Sequence, residues 1–371
     1  MRDGVLPGSR AIRILLAPDK FKGTFSALEV SLHLREGILS VAPSAEVDLL
    51  PQADGGEGTL EILLKALPGK RVEIPALDPL GRPHRAPVGK LPDGRVVIES
   101  SLFCGLGLVP GSRRDPTLSS TYGLGLALRE VLAWDPPEIL LGLGGSVTVD
   151  GGLGLARALG YRLLDGEGRL LEGRGADLDR LRKIEMPDPP PLRPAGSLRV
   201  LCDVMNPLTG PRGAATLFGP QKGATAKQVE ALERGLCRYL EVAARDLGRD
   251  ASNLAGGGAA GGSGAGLFLF ASGKIERGAE TIGDITGLPE ALEAADLVVT
   301  GEGRVDAGTD EGKVVAHVVG VAREKDVPAI VVCGDWLGPA WAGVEIMAAG
   351  KHLGTEELVN AGKTLALQWF S

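Results

Sequence analysis

Cysteine is scarce and unpatterned. The four residues, Cys104, Cys202, Cys237 and Cys333, form no CxxC pair, and each lies in or beside an apolar stretch. This excludes a disulfide-stapled scaffold and suits reduced, mostly buried thiols in a cytoplasmic protein. Histidine is equally sparse, with four scattered residues and no zinc-ligand spacing. Basic charge is not in excess. The formal net charge of -7 argues against a dedicated nucleic-acid binder. No apolar run approaches the length of a membrane span. The opening MRDGVLPGSR has no apolar core and reads as a short tail, not a signal peptide. There is no GxSxG nucleophile motif and no P-loop ending in Gly-Lys-Thr/Ser.

Glycine, by contrast, is abundant: 56 residues, clustered without a repeat period, which excludes collagen-like and linker readings. At 371 residues the chain is long enough for two domains. The stretch that organises it is ADLVVTGEGRVD, Ala295 to Asp306. Leu297 to Val299 reads as a buried parallel strand. It then breaks into Gly301, Glu302, Gly303, Arg304 and Asp306, a charged glycine turn at a strand's carboxyl end. Open parallel sheets bind their ligands at such ends.

Along the chain, Ile12 to Pro18 is a buried strand, followed by the charged turn Asp19-Lys20-Phe21-Lys22-Gly23-Thr24. Ser26 and Glu29 form a capping box for a helix reaching about Val41, with Leu28, Leu32, Arg35 and Leu39 at roughly helical spacing. Val47 to Leu50 is a second strand, ending in Asp54-Gly55-Gly56-Glu57 before a helix over Leu60 to Leu67. From Arg71 the pattern changes to hairpin-like strands (Val72–Ile74, Val88–Leu91, Val96–Glu99). A helix over Thr117 to Ala133, a strand over Glu138 to Leu143, a helix over Gly152 to Leu159, a strand over Leu198 to Cys202 and a long helix over Ala226 to Leu247 follow. Leu171 to Ser197 reads as a surface excursion. Strand–helix alternation returns after about Gly283: strands at Leu297–Val299, Ala329–Cys333 (then a short helical stretch) and Val344–Ala348, and helices at Lys313–Glu324 and Thr355–Phe370. Two N-terminal and three C-terminal strands predict a flavodoxin-like doubly wound parallel sheet of order 2-1-3-4-5. This α/β domain covers 1–71 and 284–371. A second α/β domain of mixed sheet is inserted over 72–283. The switch point lies between strands one and three, so the Asp19–Gly23 and Gly301–Asp306 turns should meet there.

These turns carry the candidate chemistry. Lys20 and Lys22, with Arg304 across the switch point, make an anion site for phosphate or carboxylate. Asp54 and Glu57 at a helix entry suit Mg²⁺, which takes one or two carboxylates and keeps waters. GLGGSVTVDGGLG, Gly142 to Gly154, opens a helix, and its backbone N–H groups suit phosphate; Ser146 and Asp150 are candidate ligand contacts. Asp203 to Asn206 and Phe218 to Gly223 are polar breaks in apolar context, and Ala255 to Gly266 is a glycine–alanine run suited to close packing or an anion nest.

Together, APDKFKGTFSA, ADGGEGT, DPLGRP, GLGGSVTVDGGLG, CDVMNPLTGPRGAATLFGPQKGA, GGGAAGGSGAGL and VVTGEGRVDAGTDEGK resemble the type I glycerate kinase family from about Ile14 to Cys333. The chain departs from the family pattern at Thr148-Val149-Asp150, at Ala255 and at Lys20 to Thr24. The resemblance implies ATP-dependent phosphorylation of D-glycerate with Mg²⁺. It also implies a restriction-enzyme-like inserted domain and an active site between the two domains. On this basis Lys22 and Arg304 are expected to hold phosphates or the substrate carboxylate, and Asp54 or Glu57 the metal. Asp306 accepts the hydroxyl proton or shares the metal. Asp19, Lys20, Gly144, Gly145, Ser146, Asp150, Asn206, Lys222, Gly301, Glu302 and Gly303 are the expected substrate or nucleotide contacts. The product is read as 2-phosphoglycerate in preference to 3-phosphoglycerate, and a homodimer is compatible with the sequence. Two alternatives stand: a kinase of another small hydroxy acid, and a non-catalytic regulator that binds a nucleotide or sugar acid.

Overall fold

The structure, a computed structural model, describes residues 12–190, 196–305, 313–338, 341, 343–350 and 354–369. The chain divides into two compact units, 1–53 with 282–371, and 54–281. The first opens with β1 (Arg13–Leu16), whose three apolar residues are buried, and α1 (Ala27–Val41). Ser26 caps α1 in the expected box with Glu29. The buried stripe of α1 is Val30, Leu34 and Ile38 rather than the Leu28, Leu32, Arg35 and Leu39 positions that marked its helical spacing; Leu32 is 45% exposed. Both sets repeat at helical spacing, and packing selects between them. β2 (Glu46–Leu49) closes this segment as an edge strand.

The second unit begins with α2 (Thr59–Ala66) and the strands β3 (Lys70–Leu77), β4 (Pro83–Lys90) and β5 (Val96–Glu99). The expected division after Arg71 differs from the observed one at Ala53–Asp54 because α2 packs with these strands. Its Leu60 and Leu64 side chains lie over Gly89 of β4, and the Glu99 carboxylate of β5 accepts the Gly58 and Leu60 N–H at 3.1 Å. Then come α3 (Ser101–Cys104), α4 (Tyr122–Leu132), β6 (Glu138–Gly142), α5 (Leu153–Ala158) and β7 (Arg162–Leu164). The expected start of α4 at Thr117 is five residues early, because Ser120 and Thr121 spend their side chains on tertiary bonds to Gly173 O and Asp150. The expected surface excursion is also corrected. It carries a 3₁₀ turn (Gly175–Arg180) and β8 (Lys183–Glu185), antiparallel to β7, and buries Leu178, Leu181 and Ile184. β9 (Ser197–Leu201), α6 (Ala214–Phe218), α7 (Ala226–Leu247), α8 (Ala259–Ala271) and β10 (Lys274–Glu276) complete the unit. Six of its eight described strands form one sheet in the order β10-β9-β6-β5-β4-β3, antiparallel at the β3–β4–β5 end and parallel elsewhere, a mixed sheet as expected.

α9 (Gly278–Thr286) leads back to the first unit, where α10 (Leu288–Glu293), β11 (Leu297–Val305), α11 (Val314–Glu324), β12 (Ala329–Trp336), β13 (Glu345–Ala348) and α12 (Thr355–Trp369) follow. The five strands lie in the order β13-β12-β11-β1-β2 and every pair is parallel. Numbered within this unit, that is the expected order 2-1-3-4-5. α12 covers α1, and the two meet at glycine: a Cβ on Gly37 would lie 2.0 Å from Val359 O, and one on Gly362 2.2 Å from Leu34 O. No helix among the described residues is long and apolar enough to cross a membrane.

Two strand ends differ from expectation, and both shape the switch point. β11 continues through Gly301–Val305 as paired strand, and β12 runs on to Trp336 where a helical stretch was expected. The extensions pair with each other, Glu302 with Cys333 and Arg304 with Asp335. Gly301 is no turn residue: a Cβ there would lie 2.0 Å from Val332 O, so glycine lets β12 approach.

Candidate active site

In the first unit the site grows from the end of β1. Asp19 N–H donates to Gly301 O at 2.8 Å, continuing the β1–β11 pairing past the sheet. The chain then folds into a tight loop in which Phe21 and Phe25 bridge, and Phe21 is buried. This raises Lys22, Gly23 and Thr24 into solvent. Gly303 lies under the loop: its ideal Cβ position is 3.4 Å from Phe21 Cα and 3.6 Å from Lys22 N. The turn after β1 and the end of β11 are therefore side by side at the switch point. Asp19 is buried and accepts the Lys20 N–H at 2.7 Å, with Lys20 Nζ at 3.4 Å. Lys20 is thus tied to Asp19, while Lys22 and Arg304 are the solvent-facing cations of this end. Burial, with Glu302 and Asp335 nearby, pushes the Cys333 thiol up to about 11, so it is no nucleophile. Asp306 lies outside the described residues.

In the second unit two loops press backbone on backbone. A Cβ on Gly142 would lie 2.3 Å from Gly55 O, and one on Gly144 2.6 Å from Gly56 Cα. Gly145 sits against the Glu57 carboxylate, whose Oε1 is 3.5 Å from the same construction. The glycines of both motifs are thus explained by close approach. Asp54 Oδ1 turns back to accept the Gly56 N–H at 2.9 Å. Its charge also acts on Asp203, a residue absent from the sequence-derived set. Asp203 accepts the Gly278 N–H at 2.7 Å and the Ala279 N–H at the start of α9. Burial, and then the neighbouring Asp54, push its carboxyl up to about 7. A carboxylate pair held this way suits a divalent cation with waters completing its shell. Among the described residues, no group of three or more His, Cys, Asp or Glu side chains is arranged for a metal.

Further residues fall behind the loops. Asp150 is fully buried and accepts four hydrogen bonds, from Thr121 N at 2.7 Å, Thr121 Oγ1 at 2.8 Å, Gly152 N at 3.0 Å and Gly154 N at 3.3 Å. It therefore organises the loop from inside; burial raises its carboxyl above the usual range. Lys222 is 3% exposed and donates to Ser146 Oγ and Thr148 O, each at 2.8 Å. Asn206 bonds Arg212 O at 2.8 Å and shapes its own turn. Sequence reasoning also missed Glu99, whose capping of α2 holds the Asp54–Gly58 loop; an acid at the end of an apolar strand was the available signal.

A parallel sheet of order 2-1-3-4-5 with a charged loop after β1 beside the charged end of β11, in a chain that also carries a mixed-sheet unit, defines an α/β protein of two units. Comparison narrows it. The glycerate kinase family model matches residues 14–347. A glycerate kinase of Halalkalibacterium halodurans is 40% identical over 89% of this chain and 87% of its own. The glycerate 2-kinase of Escherichia coli is 37% identical over 87% of this chain and 85% of its own. A crystal structure from Salmonella typhimurium LT2, put forward as glycerate kinase 2, superposes with a TM-score of 0.81 at 38% identity, covering 97% of this chain and 98% of that one. The chain belongs to the glycerate kinase family, and with it to the phosphotransferases that act on an alcohol group.

Proposed function

We propose that this chain transfers the terminal phosphoryl group of ATP to a hydroxyl of D-glycerate, giving ADP and 2-phosphoglycerate, in the cytoplasm. The observation that carries the reading is the seating of Gly303 beneath the Lys22 loop, which sets the Lys22 and Arg304 segments side by side at the end of a parallel sheet. Phosphoryl transfer asks for positioning and neutralisation of charge more than for covalent chemistry. Lys22 and Arg304 supply that as cations toward the phosphates or the glycerate carboxylate. Asp306 accepts the proton of the attacking hydroxyl or shares the metal. Asp54, with Asp203 or Glu57, would hold Mg²⁺, which when bound screens phosphate charge. Gly145 and Ser146 direct N–H groups at an anionic group of the nucleotide or acid, while the Gly144 N–H donates to Ser100 Oγ at 3.3 Å. The name of the Escherichia coli relative, 37% identical, favours the 2-phosphate. Phosphorus NMR of the product tests it: the account expects one phosphorus signal coupled to the single proton on C2. A signal coupled to the two protons on C3 would assign the 3-phosphate instead.

A further inference from the structure

Among the described residues Lys222 is the most buried cation of the second unit, and it touches the glycine loop at the Ser146 hydroxyl and the Thr148 carbonyl. It ends a 3₁₀ turn, Pro220–Lys222, and is followed by Gly223 at φ 94°. A Cβ on Gly223 would lie 2.2 Å from Arg114 O, so the turn is seated on Arg114. The Arg114 guanidinium in turn donates to Leu106 O at 3.0 Å and Val109 O at 3.1 Å. The Leu106 N–H donates to Gly145 O at 2.7 Å, and the Val147 N–H to Cys104 O at 2.8 Å. Lys222 closes this ring by donating to Ser146 Oγ and Thr148 O. Gly261 packs against the same carbonyl: a Cβ there would lie 1.8 Å from Thr148 O and 3.0 Å from Lys222 Nζ, and its φ of 72° favours glycine. Neither the Gly145 nor the Ser146 N–H donates to an acceptor among the described residues. Gly144 and Gly145 are partly open to solvent.

We propose that Lys222 is a positioning residue: by gripping Ser146 Oγ and the Thr148 carbonyl from behind, it fixes the Gly144–Thr148 loop so that Gly145 and Ser146 N–H receive an anionic group of the nucleotide or the acid. This rests on the reading of that loop as a ligand contact made above. Lys222 Nζ is engaged by Ser146 Oγ and Thr148 O, so it acts through Ser146 and through its charge. The titratable groups facing it are Asp150 and Cys104, with the Tyr239 phenol beyond Asp150. Burial pushes the Cys104 thiol up to about 12, so it stays neutral, and lowers the ammonium to about 8. Neutral lysine still carries two N–H donors for Ser146 and Thr148. Loss of its proton therefore removes the charge behind the loop while leaving both bonds available, which separates an electrostatic role from a purely structural one. Phosphate and carboxylate do not change ionisation above pH 8.

The test is backbone hydrogen exchange over 144–148 with saturating Mg²⁺–ADP and, separately, D-glycerate, alongside KM for both substrates from pH 7 to about pH 9.5. In wild type one ligand slows exchange in the loop, and its KM rises as pH passes about 8. Lys222→Met keeps length and loses charge; it is expected to raise that KM about tenfold, to lose the protection, and to abolish the alkaline rise. A folded Lys222→Met with wild-type KM, protection and alkaline rise overturns the proposal, whatever its melting temperature. If neither ligand slows exchange in wild type, the loop is no ligand contact, and the role falls with that reading. Should Lys222→Met fail to fold, wild type decides alone: ligand protection that weakens above about pH 8 supports the role, and protection constant to about pH 9.5 overturns it.

Discussion

Single residues at the switch point carry separable loads. Gly301 is structural, because any side chain collides with Val332 O. Gly301→Ala is expected to destabilise the first unit by about 1–3 kcal/mol, read from chemical denaturation, since the clash is with backbone that cannot turn aside. Arg304 is exposed and its removal leaves the β11–β12 pairing intact. Arg304→Ala should therefore fold normally, and folded Arg304→Ala and Asp306→Asn proteins should each lower kcat by about a hundredfold or more. A folded variant near wild-type turnover would remove that residue from the mechanism. The charges Lys22 and Arg304 were legible in the sequence because they break apolar runs. The roles of Asp150 and Lys222 were not. Both read as substrate or nucleotide contacts, yet each is buried by partners far along the chain, Lys222 by Ser146 at 76 residues' separation. No local pattern announces such a contact.

At the scale of elements, the sheet order was legible because the inner strands β1, β11 and β12 are near-continuous apolar runs leading into glycine or charge, the mark of parallel strands buried on both faces, while the edge strands β2 and β13 are only partly buried. Strand ends were not legible. Gly301 and Gly303 signal a turn by local propensity, but pairing with the extended β12 overrides it. The buried face of α1 was not legible for a similar reason: two apolar stripes repeat at helical spacing, and packing against the sheet and α12 selects Val30, Leu34 and Ile38. Asp203 belongs to this scale because it joins the end of β9 to the start of α9. Its carboxyl titrates near 7 in the fold against 3.8 in the unfolded chain, burial being the larger cause and Asp54 the next. Between those values the folded protein holds a proton that the unfolded chain has released, so this group makes stability fall as pH rises from about 4 to about 7. In metal-free protein, Asp203→Asn should flatten that slope, measured as melting temperature against pH. An unchanged slope would place the titrating group elsewhere.

For the whole molecule, each of the two units has its own hydrophobic core. One is built on β1, α1, β11, β12 and α12; the other lies between the mixed sheet and α4, α5, α7 and α8. Each also gathers its own share of the proposed site: cations and the end of β11 in the first, and Asp54 and Asp203 with the Gly144–Thr148 loop in the second. The division of labour suits a reaction whose demands are charge neutralisation and placement. The most direct test is ADP release, measured with ATP and Mg²⁺ over a panel of small hydroxy acids that includes both enantiomers of glycerate. The account predicts the highest kcat/KM with D-glycerate and one ADP formed per phosphoglycerate. Release that favours another hydroxy acid, or none with any acid tested, would contradict it.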